Sequence, residues 1–239
     1  MTHAAKMQAA RVLQAVSHRW LKWRNARYYK RLPVGETFTA IYRSRAWGSV
    51  PDRPFCSGDG SIREEVVRPY TQVVRRFIEA NDIRQIVDLG CGDFSVGSRL
   101  IEPGIRYTGV DVVPELIRYN QEHFASQSVE FRCMDIIEDD LPPGELCLVR
   151  QVLQHLSNEQ ILKTLDSLTR YPHVIATEHV YVGPGLRRNR DKEQGPGTRL
   201  PKRSGVFLEF PPFSRPAKLL LEVPLAEMEV LRTVVIQSI

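Results

Sequence analysis

The sequence predicts an α/β fold on a doubly wound, mostly parallel sheet, and three observations lead there. First, the apolar run Ile86-Val87-Asp88-Leu89 passes directly into Gly90-Cys91-Gly92-Asp93-Phe94-Ser95-Val96-Gly97. That pattern is a buried strand feeding a tight loop whose backbone must approach a ligand closely, with a helix N-terminus beyond it. Second, apolar runs return at 107–111, 129–134, 146–150 and 173–178, alternating with stretches of helical periodicity. Third, the run Leu146-Cys147-Leu148-Val149 is continuous and apolar, as an inner parallel strand should be.

Each element follows from local chemistry. Ala9, Val12, Leu13, Val16, Trp20 and Trp23 recur at helical spacing with basic residues between them. They predict an amphipathic helix over about 4–29, ended by Leu32-Pro33. Residues 34–62 are turn-rich around Trp47-Gly48-Ser49 and Cys56-Ser57-Gly58-Asp59-Gly60-Ser61. A solvent linker would not need Trp47. This segment is expected to fold over the ligand pocket, with Trp47, Ser57 or Ser61 near its mouth. Residues 62–81 read as a helix with a kink, or a true start, at Pro69. A short helix is expected over 96–101, and a longer one over 115–124 with Pro114 at its start. Ser157 with Gln160 three residues on is a capping box for a helix running to Leu168. Residues 183–205, rich in Gly, Arg and Lys with almost no apolar anchors, read as a mobile lid. Two last strands, 218–223 and 231–237, flank a turn at Glu227-Met228-Glu229.

The totals narrow the class. At 239 residues and 42% apolar content the chain can bury one substantial core with some tens of residues to spare. No apolar run approaches a membrane span, and the N-terminus lacks the apolar centre of a signal peptide, so a cytoplasmic location is expected. The cysteines form no C-x-x-C pair and the histidines have no ligand spacing, so no metal is expected. Cys91, Cys133 and Cys147 read as buried thiols of a reducing compartment. Residues 1–31 hold eight Lys or Arg and no acid. Removing those eight from 33 leaves 25 basic against 28 acidic residues, so the positive charge belongs to the extension and the body is acidic. That extension suits packing on the body or on a twin subunit, as a homodimer, or contact with the inner face of an anionic membrane. A nucleic-acid partner is not favoured, since no groove-reading or base-stacking motif accompanies the charge.

The glycine loop excludes two common ligands. Gly90-x-Gly92-x-x-x-x-Gly97 is not the dinucleotide spacing, and no Lys-Ser/Thr pair follows to make a P-loop. Asp88 and Asp93 would repel a pyrophosphate but suit an ammonium or a sulfonium. Asp111, about twenty residues on, is placed to accept both ribose hydroxyls. Asp135, after the third strand, could reach an adenine amino group. Three acids at successive strand ends around one glycine loop describe a nucleoside pocket.

With those residues in hand, 84–156 resembles the nucleotide-binding half of a class I S-adenosylmethionine-dependent methyltransferase. The resemblance implies a Rossmann-like class I sheet with an antiparallel C-terminal edge. It also implies S-adenosyl-L-methionine as cofactor, leaving as S-adenosyl-L-homocysteine. Asp88, Gly90, Gly92 and Asp93 would face its methionine end, Asp111 its ribose and Asp135 its adenine, with Cys91, Val112, Ile136, Arg150, Trp47 and Ser61 beside it. The chain is similar to an uncharacterised bacterial subset that pairs Cys-Gly-Asp-Phe with an upstream Trp-Gly-Ser…Ser-Gly-x-Gly-Ser and a downstream Arg-x-x-Leu-x-His-Leu-Ser. Here these are Cys91 to Phe94, Trp47 to Ser61, and Arg150 to Ser157. The organisation implied is a basic helical extension over 1–31, a cofactor-covering segment and helix over 32–82, and a catalytic domain over 83–239.

The candidates for chemistry follow strands four and five. His155, Glu178 and His179 are candidate bases or substrate orienters. Arg150 is expected to pair with Asp88 or a substrate carboxylate. Arg199 resembles an element near the lid end of the same subset and is expected to clamp an anionic or hydroxyl-rich substrate; Asn189 is a weaker parallel. The acceptor expected is a small polar or anionic molecule or sugar, methylated on oxygen or nitrogen. Two other readings stand beside this one: a scaffold that binds the cofactor without turnover, and a nucleic-acid methyltransferase. The latter lacks its Asn/Asp-Pro-Pro-aromatic tetrapeptide after strand four, where Arg150-Gln151-Val152-Leu153 stands instead. A nicotinamide-linked oxidoreductase is disfavoured by the loop spacing and by Asp88.

Overall fold

A computed structural model describes residues 28–237. Most of the expected N-terminal helix, and any dimer or membrane contact made through it, lies outside the described residues. Seven strands form one sheet: β1 Gln85–Leu89, β2 Arg106–Asp111, β3 Val129–Cys133, β4 Leu146–Arg150, β5 His173–Tyr181, β6 Ala217–Ala226 and β7 Glu229–Ile236. Their order is β3-β2-β1-β4-β5-β7-β6. The first five run parallel, and β7 enters antiparallel between β5 and β6. Pro224 lies in β6, the edge strand, where a missing N–H does not interrupt a central ladder.

The helices are α1 Val34–Arg43, α2 Asp59–Ile62, α3 Glu64–Ala80, α4 Pro114–Phe124 and α5 Asn158–Ser167. Strand alternation divides the core in two. Val87, Leu89, Cys147 and Val149 pack with Phe38 and Ile41 of α1 and Ile161 and Leu165 of α5. Ile86, Leu146, Leu148 and Ile175 point the other way, toward Tyr70, Val74 and Ile78 of α3. Asp88 shares the parity of Ile86, so its carboxylate enters the α3 side rather than solvent.

Several expectations are corrected. α1 was not expected as a helix, although Val34, Thr37, Phe38, Ile41 and Tyr42 recur at helical spacing. α3 neither starts nor stops at Pro69 but runs through it from Glu64. The carbonyl deprived of its partner belongs to exposed Glu65, and Glu64 and Glu65 favour the helix start electrostatically. Residues 97–100 make a single 3-10 turn rather than an α-helix. β5 continues past Glu178 to Tyr181 because β7 pairs with it to that point, so His179 lies within the strand. Cys133 is exposed rather than buried. The capping box forms as expected: Ser157 accepts from the Gln160 N–H, and Gln160 accepts from the Ser157 N–H.

The 183–205 loop is pinned, not untethered. Asn189 donates to the carbonyls of Phe207, Phe210 and Pro211. Gln194 donates to Tyr29 O, Leu32 O and Thr37 Oγ1. Its anchors are polar, which is why an apolar pattern did not reveal them. No described helix is long and apolar enough to cross a membrane.

Candidate functional site

At the C-terminal ends of the parallel strands lies a cavity of about 410 Å³, where open α/β sheets bind ligands. Its floor is the glycine loop after β1. Gly90 has φ +73°, and a Cβ there would come within 2.3 Å of Val152. The loop can therefore pass under the segment after β4 only as glycine. The Gly90 and Cys91 N–H groups donate to Val110 O, fixing the loop to β2.

Asp111, at the end of β2, accepts from the Gly92 N–H at 3.2 Å and the Val113 N–H at 3.1 Å. Burial pushes its carboxyl up to about 6, against the pull of those donors. Asp88 accepts from Tyr107 Oη at 2.5 Å and is likewise raised to about 6, mainly by burial. Asp135 accepts from the Ile137 N–H, and burial raises it too. All three line the cavity, together with Gly90, Cys91, Gly92, Asp93, Val112, Ile136, Arg150, Trp47 and Ser61.

The roof comes from the segment ahead of α3. Ser57 and Asp93 bond reciprocally: the Ser57 N–H donates to Asp93 Oδ2 at 3.0 Å, and the Asp93 N–H to Ser57 Oγ at 2.9 Å. Tyr42 Oη lies 3.0 Å from the same Ser57 Oγ. Trp47 packs its indole 4.9 Å from the His155 ring and donates from Nε1 to Pro196 O. The covering segment is thus tied both to the glycine loop and to the 183–205 loop.

Of the two partners expected for Arg150, Asp88 makes no close ion pair with it. Its guanidinium lies over the Tyr70 ring at 4.8 Å and donates to Gly60 O at 2.6 Å, while its buried Nε has no hydrogen-bond partner. A buried guanidinium N–H left over in a cavity wall is suited to an incoming carboxylate.

Two candidates for chemistry are displaced from the cavity. Glu178 is 3% exposed and accepts the N–H groups of Leu153 and Gln154 at 2.9 and 3.0 Å. Burial raises its carboxyl to about 8. Arg199 is fully buried and donates to the carbonyls of Arg190, Leu153, Gln154 and Leu156 and to Asn158 Oδ1. Both groups are spent holding the turn after β4 in place, so neither clamps a substrate.

His155 and His179 do line the cavity, in different settings. His155 is enclosed by Phe38 and Trp47, and burial with the nearby Lys192 lowers it to about 3, so it is neutral and a poor base. His179 has Nε2 3.1 Å from Glu229 Oε2, and Glu229 also lines the cavity. Burial lowers His179 while Glu229 pulls it up. Gln154 bridges the two histidines: Oε1 accepts the His179 backbone N–H, and Nε2 lies 3.2 Å from His155 Nε2. Sequence reasoning missed Glu229, Gln154, Tyr42 and Tyr70. Glu229 had been read as part of a turn, yet the start of an antiparallel β7 must lie beside the end of β5.

This strand order, with a parallel core and an antiparallel edge, is the class I methyltransferase fold. A methyltransferase domain family matches residues 86–171. Among solved structures the chain is similar to the N-methyltransferase NodS from Bradyrhizobium japonicum, in complex with S-adenosyl-L-homocysteine. That likeness has TM-score 0.58 and 15% identity, over 82% of this chain and 98% of that one. It is also similar to human N-acetylserotonin methyltransferase in complex with its methyl donor, at TM-score 0.54 and 15% identity, over 86% of this chain and 60% of that one. In sequence it is 38% identical over 58 residues to a malonyl-[acyl-carrier protein] O-methyltransferase from Acetivibrio thermocellus. The match spans 23% of this chain and a fifth of that relative's length.

Proposed function

We propose that the chain is an S-adenosylmethionine-dependent methyltransferase acting on an oxygen or nitrogen of a small polar acceptor. The observation that carries this is the convergence of Asp88, Asp111 and Asp135 around a glycine loop, closely packed against Val152, in one cavity. The wall fits the cofactor. Asp111 retains acceptor capacity for two ribose hydroxyls, Asp135 and Ile136 flank the position for adenine, and Arg150 Nε offers an unmet donor for the methionine carboxylate. When bound, the cofactor supplies an electrophilic methyl group on a sulfonium, which leaves as a neutral thioether once the acceptor's lone pair takes the methyl.

The protein's part is to orient the acceptor and to take its proton. Glu229 and His179 stand at the β5–β7 side of the cavity, where the Glu229 carboxylate, 3.1 Å from His179 Nε2, is placed to stabilise the imidazolium formed when His179 takes that proton. The Trp47–Ser61 and Arg150–Ser157 segments, which carry the likeness to a bacterial subset, meet at the same cavity, where Trp47 packs on His155 and Arg150 donates to Gly60 O. On those sequence motifs the chain is read as a member of that subset.

Calorimetric titration with S-adenosylhomocysteine, with NAD as the control, tests the reading. Micromolar binding of the first and none of the second is expected. Absence of the first would overturn the reading, and binding without methyl transfer to any acceptor would favour the scaffold. Given binding, His179→Ala should lower kcat in an acceptor screen with labelled methyl donor and remove the acid limb of the pH profile, while homocysteine-adduct affinity stays near wild type.

A further inference from the structure

The 183–205 loop carries a basic face that the cavity does not use. Arg187, Arg188, Arg190, Lys202 and Arg203 are exposed. Among the described residues none of the five has a carboxylate within ion-pair distance. They are contiguous because the two limbs of the loop are zipped together. The Arg187 N–H donates to Arg203 O, the Arg190 N–H to Ser204 Oγ, and Lys202 Nζ to Asp191 O.

The frame beneath them is rigid. Asn189, Gln194, Arg199 and Ser204 are buried, and Asn189, Gln194 and Arg199 each make three or more hydrogen bonds. A solvated loop needs no such frame, whereas a docking face gains by losing little entropy on contact. Arg203 itself sits at φ +51°, a backbone region where glycine or asparagine would be less strained. The positive field is also felt beneath the face: burial, with Arg199 and Lys202 beside it, lowers Lys192 to about 7.

We infer that this face docks an acidic protein at the acceptor side of the cavity. Its position supports that. Val182, at the root of the loop, donates to Met228 O at 2.9 Å, and Met228 adjoins Glu229 in the cavity wall. A partner seated there abuts the β5–β7 end of the site, across the sheet from Asp111 and Asp135. Four of the five cations are arginines, whose forks bind carboxylates bidentately. A nucleic acid is the poorer fit. The exposed aromatic ring beside the face, Phe210, has the Arg188 guanidinium 4.3 Å from its centre, so one of its faces is already taken from a stacking base. The body around the face is acidic on balance, which suits a compact contact rather than an extended phosphate track.

The name of the cavity's acceptor side rests on the methyl-transfer reading, while the docking itself is tested without it. The probe is a fluorescent poly-glutamate peptide, titrated against the full chain by anisotropy at low and at physiological salt. The triple variant Arg187→Glu/Arg190→Glu/Arg203→Glu should weaken peptide binding by roughly tenfold or more, with circular dichroism and S-adenosylhomocysteine affinity unchanged. Lys6→Glu/Arg11→Glu, in the basic extension, should weaken it less. Wild-type peptide binding by the triple variant would overturn the inference. So would loss of binding only in the extension variant, or tighter binding of a single-stranded RNA or a phosphatidylserine vesicle than of the peptide at the same salt. Peptide binding without cofactor binding would keep this inference and sink the enzyme reading.

Discussion

The two halves of the sheet solve the same problem by different means. On the β1–β3 side, ligand-facing groups sit where each strand ends, and the chain that precedes a group also positions it: Asp111 is held by N–H groups one loop away. On the β4–β7 side the chemistry is held by partners distant in sequence. Arg199 reaches back more than forty residues to Leu153, Gln154 and Leu156, and Gln194 more than 160 residues to Tyr29 and Leu32. The first half is a motif. The second is a buried polar lattice, in which each missing partner leaves several others unsatisfied.

Removing one member of that lattice should have the largest effect. Arg199→Met is expected to cost about 3–5 kcal/mol in urea unfolding, because the buried turn carbonyls of Leu153, Gln154 and Leu156 lose the guanidinium that ties them together. A loss under 1 kcal/mol would mean that the lattice is ornamental and the two halves are alike.

Next is a pH effect. His155 is depressed to about 3 in the folded protein, so its stabilising contribution is full above 6.5 and is lost as pH falls toward 3. At pH 4 the wild type should have lost about 3 kcal/mol more, relative to pH 7, than His155→Gln. Parallel stability curves would show that the ring is not shielded.

On the motif side the expected effects are on binding. Asp111→Ala should weaken S-adenosylhomocysteine by about 1.5–3 kcal/mol with little change in unfolding. In the wild type, affinity should fall as pH drops through about 6, where Asp88 and Asp111 become protonated. Both carboxyls are raised, so each stabilises the unliganded fold toward acid and that contribution fades as pH climbs through 6. Binding and stability on this side therefore move in opposite directions with pH. The smallest effect belongs to Ser57→Ala, about 1 kcal/mol in affinity from the lost Ser57 Oγ bond, measured by the same titration.

The contrast also explains what could be read from the sequence. The five parallel strands, the glycine loop, the three acids and the Ser157–Gln160 box are local patterns and were legible as such. α1 was legible too, in the spacing of Val34, Phe38, Ile41 and Tyr42, but the Gly and Pro residues around it carry the pattern of an irregular strap. The frame of the 183–205 loop was not legible, because Asn189, Gln194 and Arg199 look solvated until the distant carbonyls they meet are known. Glu178 misled for the same reason: a strand-end acid reads as a base, and only the Leu153 and Gln154 N–H groups show that it is already occupied. Glu229 needed the antiparallel register with Tyr181 before it could be seen beside His179.

The reciprocal bonds between Ser57 and Asp93 carry a kinetic consequence. They join the roof of the cavity to the loop that forms its floor, so opening the roof at this point breaks both bonds together. The latch then bears mainly on residence time, while most of the affinity comes from the acids below it. A variant without the latch would turn its pocket over faster with nearly the same occupancy at saturation. In an enzyme whose slow step is discharge of the spent donor, losing those two hydrogen bonds would raise the rate rather than lower it.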